Sequence, residues 1–207
     1  MSSSPLALVD ELPVIDSNLL QALAARGFEA LAVSDAEAAR EAVLSLIPDG
    51  ALVSHGGSTT LEEIGLIDEL ASSERVRYGN AEWLAEDDAT ERLELRKHRS
   101  IFADVYLGSV QAIARTGQVV GADAGGSRQG PYVWGPKRVI WVAGANKIVP
   151  HLDAAIRRVY QVAFPLEDVR MRRTGGTGSS VNKLVVYDRD PVPGRTTLIL
   201  VRQALGF

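Results

Sequence analysis

The sequence predicts an α/β fold built on a mostly parallel sheet with helices on both faces. Short apolar runs, residues 28–33 and 51–55, alternate at short intervals with segments of helical periodicity, which is typical of such sheets. Two later runs, DVYLG (104–108) and RVIWVAG (138–144), end in glycine and are followed at once by polar residues. Ligands of open parallel sheets bind beyond the carboxyl ends of the strands. We therefore expect a Rossmann-like sheet with a binding site at that edge.

The composition is that of an ordinary globular protein. The chain has 207 residues, 46% of them hydrophobic and 23% charged, which is enough for one domain, residues 1–207, with a sizeable core. A formal net charge of −4 argues against nucleic acid as a general partner. No apolar run approaches the roughly 20 residues of a membrane span, and no signal peptide is evident, so a cytoplasmic location is expected. Without cysteine, disulfides and thiol chemistry are excluded.

The N-terminal part is predicted to run from a loose leader into a helix, a strand and a second helix. The leader covers residues 1–14, and apolar residues then recur at helical spacing from Ile15 until Gly27, a typical helix stop. After the strand at 28–33, Ser34 and Glu37 match the pattern of a capping box. We therefore expect Ser34 to cap the second helix.

The segment ALVSHGGSTTLEEIG, residues 51–65, is the first candidate site. A predicted strand ends at a Gly-Gly pair, and Gly57 allows the backbone to approach a ligand closely. The hydroxyls of Ser58 and Thr59 then open a helix, whose free N–H groups and dipole favour an anion. We predict ligand contacts from Gly57, Ser58, Thr59 and Glu63. The alternative is that these hydroxyls and glutamates only cap the helix.

Two further pairs of polar residues follow strands in the central segment. Ser109 and Gln111 come directly after DVYLG, and Asn146 and Lys147 come directly after RVIWVAG. Together with the hydroxyls after the Gly-Gly pair, they are expected to meet in one crevice. Lys147 is interpreted as an electrostatic anchor or, if desolvated, a proton-transfer group; the alternative is a surface lysine.

Between these strands the sequence predicts a loop that carries a cation. Residues 110–115 are expected to form a small helix or turn, and residues 118–122 a β-rich piece, before a glycine-rich loop with Arg128. Arg128 can hold a carboxylate or phosphate through two parallel hydrogen bonds. The alternative is a structural salt bridge to Asp123. We expect Arg128 and Lys147 to face solvent when no ligand is bound.

The C-terminal part is predicted to contain a flexible loop, residues 171–182, followed by apolar strands within residues 183–207. These strands are expected to form a hairpin or a pair bordering the sheet, as a β extension of the fold. Trp141, between valines of RVIWVAG, is expected in the core. The histidines are scattered, and neither a metal site nor a cofactor is predicted.

Four blocks of the sequence together resemble the LUD-domain family: GGSTTLEEIG, ADVYLGSVQAIARTGQVVGAD, GSRQGPYVWGPKRVIWVAGANKIVPHLDAAIRRV and TTLILVRQALGF. The resemblance is to lactate-utilisation proteins of the type found as the C subunit of the bacterial lactate-utilisation operon, and it covers residues 19–207. It implies a fold similar to that of the sugar-phosphate isomerase and coenzyme A-transferase group. It also implies association with the oxidation of L-lactate to pyruvate, alongside separate iron–sulfur subunits.

Three functions are compatible with these observations. The first is a lactate-utilisation component that binds a small anionic metabolite at the strand ends. The second is an isomerase-like or transferase-like enzyme acting on a phosphorylated or acyl substrate, by analogy of fold. The third is a non-catalytic subunit that docks iron–sulfur partner proteins. A homo-oligomer is compatible with each.

Overall fold

The computed structural model describes residues 11–207, so the predicted leader lies largely outside the described residues. Within this range the strands, in chain order, are β1 (Glu29–Val33), β2 (Leu52–His55), β3 (Arg77–Tyr78), β4 (Val105–Gly108), β5 (Ala112–Ala114), β6 (Val119–Asp123), β7 (Arg138–Gly144), β8 (Ile148–Val149), β9 (Lys183–Tyr187) and β10 (Thr196–Val201).

The helices alternate with these strands as the sequence predicts. They are α1 (Ser17–Ala24), α2 (Ala36–Leu46), α3 (Thr59–Glu63), α4 (Leu66–Ser72), α5 (Gly79–Leu84), α6 (Ala89–Ile101), α7 (Gln129–Val133), α8 (Leu152–Arg158) and α9 (Phe164–Arg173). A π-helical segment, Val159–Ala163, joins α8 to α9, and a 3-10 turn, Ala145–Lys147, follows β7. No helix within residues 11–207 has the length and apolar character needed to cross a membrane.

The main sheet contains, in the described part of the chain, six parallel strands in the order β1-β10-β7-β4-β2-β3. Alternate residues of β7 face opposite sides. Ile140 and Val142 pack with α2, α3 and α4, whereas Val139 and Trp141 pack with α1 and the second sheet. Both faces are therefore covered, which explains why the central strands are continuous apolar runs. The predicted Rossmann-like, mostly parallel α/β fold is confirmed.

The second sheet corrects the prediction for residues 110–115. Ala112–Ala114 is a strand rather than a helix or turn, and it lies between β6 and β8 in a sheet ordered β8-β5-β6-β9. Its three residues are fully buried between the main sheet and α8. A segment this short has no reliable local preference, so pairing with distant strands decides its structure.

The C-terminal strands do not form the predicted hairpin or a pair bordering the sheet. Strand β9 pairs antiparallel with β6 in the second sheet, whereas β10 lies between β1 and β7 in the main sheet. All six residues of β10 are buried. The uninterrupted apolar run TTLILV is typical of a central parallel strand, and this property outweighs its closeness to β9 in the chain.

One helix cap also differs from the prediction. Asp35, not Ser34, caps α2, because its Oδ1 accepts a hydrogen bond from the Ala38 amide at 2.9 Å. Ser34 Oγ instead donates to Asp35 Oδ2 at 2.7 Å. Ser58 caps α3 by accepting a hydrogen bond from the Leu61 amide at 3.3 Å, so for this hydroxyl the alternative role of helix cap is observed.

Candidate functional site

The carboxyl ends of β2, β4 and β7 surround a cavity lined by both polar and apolar residues, which we call the strand-end cavity. Its volume is about 60 Å³. A buried water needs roughly 10–15 Å³, so the cavity has room for several waters or for the anionic end of a ligand. Of the nine predicted site residues, seven line it: Gly57, Ser58, Thr59, Ser109, Gln111, Arg128 and Lys147.

Lys147 lies at the base of the strand-end cavity, where the 3-10 turn after β7 directs its side chain inward. Its Nζ donates hydrogen bonds to Thr60 Oγ1 and Ser109 Oγ, both at 2.9 Å. The residue is only 2% exposed, so the prediction that it faces solvent is wrong. Within residues 11–207, Lys147 forms no ion pair.

Burial changes the protonation of this lysine. Removal from water, together with the positive charge of Arg158, lowers the pKa of Lys147 from 10.5 to about 7. The carboxylate of Glu63 acts in the opposite direction, and Arg128 lowers the pKa further. An amine with a pKa near 7 is neutral in a large fraction of molecules at physiological pH.

Arg128 is held over the strand-end cavity by the salt bridge that the sequence offered as an alternative. Its Nε lies 3.1 Å from Asp123 Oδ2, and its Nη2 donates to the Ala122 carbonyl at 3.0 Å. Burial alone would raise the pKa of Asp123, but Arg128 and amide donors, including Gly126, hold it below its ordinary value. The side chain is 21% exposed, so it faces solvent only in part.

The Gly-Gly pair after β2 allows this arrangement. A Cβ atom at Gly56 would overlap Arg128 Cγ, so only glycine leaves room for the aliphatic part of the Arg128 side chain to pass this loop. The glycine predicted to admit a ligand is its neighbour Gly57, which lines the strand-end cavity. Gly56 therefore admits a side chain of the protein itself.

Glu63 and Asn146 do not line the strand-end cavity. Glu63 Oε2 instead accepts a hydrogen bond from the Gly206 amide at 2.7 Å. Asn146 accepts from the Leu205 amide at 3.1 Å and donates to the Gly206 carbonyl at 3.0 Å. Both side chains thus fix the segment 205–207, and its Phe207 lines the cavity. Their contribution to the site is indirect.

Two buried polar residues, Thr60 in the lining of the cavity and Arg158 next to it, were not among the nine predicted site residues. Thr60 is 1% exposed and contacts Lys147. Its position next to the apolar Leu61, on the inward face of α3, is the sequence feature that could have indicated its burial. Arg158 on α8 is 8% exposed and donates to the carbonyls of Asn146, at 3.2 Å, and Gln111. These partners lie 12 and 47 residues away in the chain, so no local pattern points to Arg158. Burial lowers the pKa of Arg158 to about 10.

The wall opposite the strand ends comes from the π-helical segment and α9. Val159 and Ala163 supply its apolar part, and Arg170 with its partner Glu167 supplies its charged part, at 2.7 and 2.8 Å. π-Helical segments inside α-helices occur frequently at functional sites. In residues 11–207, no three His, Asp or Glu side chains are grouped so that they could hold a metal ion.

Comparison with known families identifies the chain. The LUD domain model matches residues 17–201. The chain belongs to the LUD domain family. One similar solved structure is a DUF162 family protein from Deinococcus radiodurans, at 14% identity and a TM-score of 0.53, covering 91% of this chain and 99% of that one. At this identity the likeness concerns the fold alone. A search of the curated proteins found no match.

The blocks that carried the resemblance to the LUD domain family contribute most of the strand-end cavity. GGSTTLEEIG contributes residues 57–60, ADVYLGSVQAIARTGQVVGAD contributes residues 109–111 and 122–123, and the longest block contributes Arg128 and Lys147. In this LUD domain, segments far apart in the chain therefore meet at one edge of the sheet.

Proposed function

We propose that this LUD domain protein takes part in lactate utilisation by binding a small anionic metabolite in the strand-end cavity. One observation supports the proposal most strongly. Lys147, which lines the cavity, and Arg158, which donates to the carbonyl of the cavity residue Gln111, are both buried, and within the described residues neither forms an ion pair with a carboxylate. The family to which the chain belongs supplies the link to lactate.

The charge balance of the cavity favours an anionic ligand. Arg128 is paired with Asp123 and Arg170 with Glu167, so these charges largely offset one another. The charge of Arg158 has only backbone carbonyls as partners, and Lys147 has only hydroxyls. A buried cation without a counterion is costly. A bound anion would lower this cost.

The attraction comes from side chains more than from a helix dipole. The sequence suggested the start of α3 as an anion site, but α3 has only five residues. A helix this short contributes a weak dipole. The hydroxyls of Ser58 and Ser109, with the guanidinium of Arg128, are the groups best placed to hold a carboxylate or phosphate in the cavity.

A ligand panel tests the proposal and separates it from the alternatives. Thermal unfolding is followed with L-lactate, pyruvate, a sugar phosphate and coenzyme A. A ligand at 100 times its Kd stabilises a protein by about 2.7 kcal/mol. We expect stabilisation by lactate or pyruvate. Stabilisation by the sugar phosphate or coenzyme A alone would favour an isomerase-like or transferase-like enzyme instead.

Two lysine variants provide a matched comparison. Lys147→Met removes the titrating amine in the cavity, whereas Lys137→Met removes an amine at the opposite edge of the sheet, where Lys137 is 83% exposed and paired with Asp104. We expect the first variant to lose stabilisation by the ligand and the second to retain it. Equal loss in both variants, or no stabilisation of the unaltered protein by any anion, would refute the proposal.

A further inference from the structure

We propose that Lys147 is a nucleophile that forms an imine with a small 2-oxo acid bound in the strand-end cavity. This inference rests on the proposed function, since it names the substrate class of the same site. It goes further by assigning a covalent step to one side chain.

The contacts of Lys147 can all be made by a neutral amine. A neutral amine has two N–H donors and one lone pair, whereas an ammonium has three donors and no lone pair. Nζ of Lys147 donates to two hydroxyl oxygens, Thr60 Oγ1 and Ser109 Oγ, at 2.9 Å each. The two hydrogen bonds use both donors of the neutral form. The lone pair then occupies the remaining tetrahedral position, and Lys147 lines the cavity.

The charged groups around Lys147 favour this neutral form. Arg158 on α8 and Arg128 before α7 repel a proton on Nζ, and only Glu63 on α3 favours one. Glu63 directs one carboxylate oxygen to the Gly206 amide, at 2.7 Å. Lysines that act through imines are activated by desolvation or by a neighbouring cation. Both conditions are present at Lys147.

The step balances with one proton taken from solvent water. The lone pair of Nζ attacks the carbonyl carbon, so that a C–N bond forms, and a proton lost by Nζ moves to the carbonyl oxygen to give a carbinolamine. The solvent proton then allows the hydroxyl to leave as water, and the product is a protonated imine. The amine, the carbonyl compound and one proton are consumed, water is released, and nothing is oxidised or reduced.

The product explains why a carboxylate belongs next to the carbonyl group. The protonated imine places a full positive charge at Nζ, where burial and two arginines disfavour charge. A carboxylate on the adjacent carbon lies beside that charge and offsets it, and Arg128 supplies a second partner. A carbonyl compound without a carboxylate would leave the cation unpaired. A 2-oxo acid is therefore preferred over a simple aldehyde or ketone.

Reductive trapping tests the inference on the full chain. Pyruvate and sodium cyanoborohydride are added, and the protein is analysed by intact mass and by peptide mapping. Trapping of the imine adds the mass of one pyruvic acid less one oxygen atom. We expect the label on Lys147 to exceed that on the exposed Lys137 by roughly tenfold or more, because desolvation activates the buried amine.

Two controls separate this inference from simple anion binding. L-lactate has no carbonyl group, so it should stabilise the protein against heat but leave its mass unchanged. Lys147→Met should abolish the specific label, and Lys137→Met should retain it. If pyruvate stabilises the protein but the label is spread over surface lysines, the imine is refuted and the proposed binding function stands. If pyruvate neither stabilises nor labels the protein, the imine is refuted, and if L-lactate also fails to stabilise it, both proposals fail.

Discussion

The substitution Lys147→Met tests whether burial holds this lysine neutral. Methionine keeps most of the volume of the side chain and removes the titrating group. The pKa of Lys147 is about 7 in the folded protein and 10.5 when the chain is unfolded. Between these values the unfolded chain binds a proton that the folded protein does not, so the free energy of unfolding must rise with pH. Below pH 7 both states are protonated, and the full cost of burying the charge applies.

The size of the effect follows from the two pKa values. From pH 7.5 to pH 9.5, Lys147 should add about 2.5 kcal/mol to the free energy of unfolding. The upper limit is set by buried tyrosines, such as Tyr106, whose pKa is raised to about 12 and which destabilise the fold once unfolded tyrosine ionises near pH 10. The window from pH 7.5 to 9.5 largely avoids their contribution.

The assay is urea unfolding of three proteins at both pH values: the unaltered protein, Lys147→Met and Lys137→Met. The difference between the two pH values should be about 2.5 kcal/mol larger in the unaltered protein than in Lys147→Met. Lys137→Met should follow the unaltered protein, because Lys137 is 83% exposed. If the stability curves of all three proteins run parallel, Lys147 is not neutralised by burial and the basis for its role as a nucleophile is lost.

Two further substitutions test the core and the salt bridge. Trp141 is 1% exposed, so Trp141→Ala should lower the free energy of unfolding by about 3–5 kcal/mol, whereas Trp134→Ala, at a residue 79% exposed, should change it by about 0.5 kcal/mol or less. Asp123→Asn should cost about 1–3 kcal/mol, because Arg128 loses its partner, and Asp49→Asn, at an exposed pair, should cost about 1 kcal/mol or less. The loss of unfolding free energy is measured for each variant from its urea midpoint at constant slope. Each prediction would be contradicted if the substitution at the exposed residue cost as much as the one at the buried residue.

The sequence alone predicted the fold class, the burial of Trp141 and seven of the residues that line the strand-end cavity. The reason is that these features depend on local patterns. Short apolar runs alternating with helical periodicity predict a parallel sheet, and such a sheet places all carboxyl strand ends at one edge. Ser109 and Lys147 could therefore be selected because each follows a strand. Their convergence required no knowledge of distant contacts.

The tertiary structure decided which of these side chains enter the cavity and in which state. Strand β10 lies at the centre of the main sheet and β9 in the second sheet, a separation that depends on pairing with strands far away in the chain. Glu63 and Asn146 were selected because they follow strands, as Lys147 does, yet their side chains bind the segment 205–207. The position of that segment cannot be predicted from where the strands end. The burial of Lys147, and hence its pKa, is a property of everything packed around it. A pattern in the sequence gives the position of a charged group, but only the completed fold determines how much water remains to stabilise its charge.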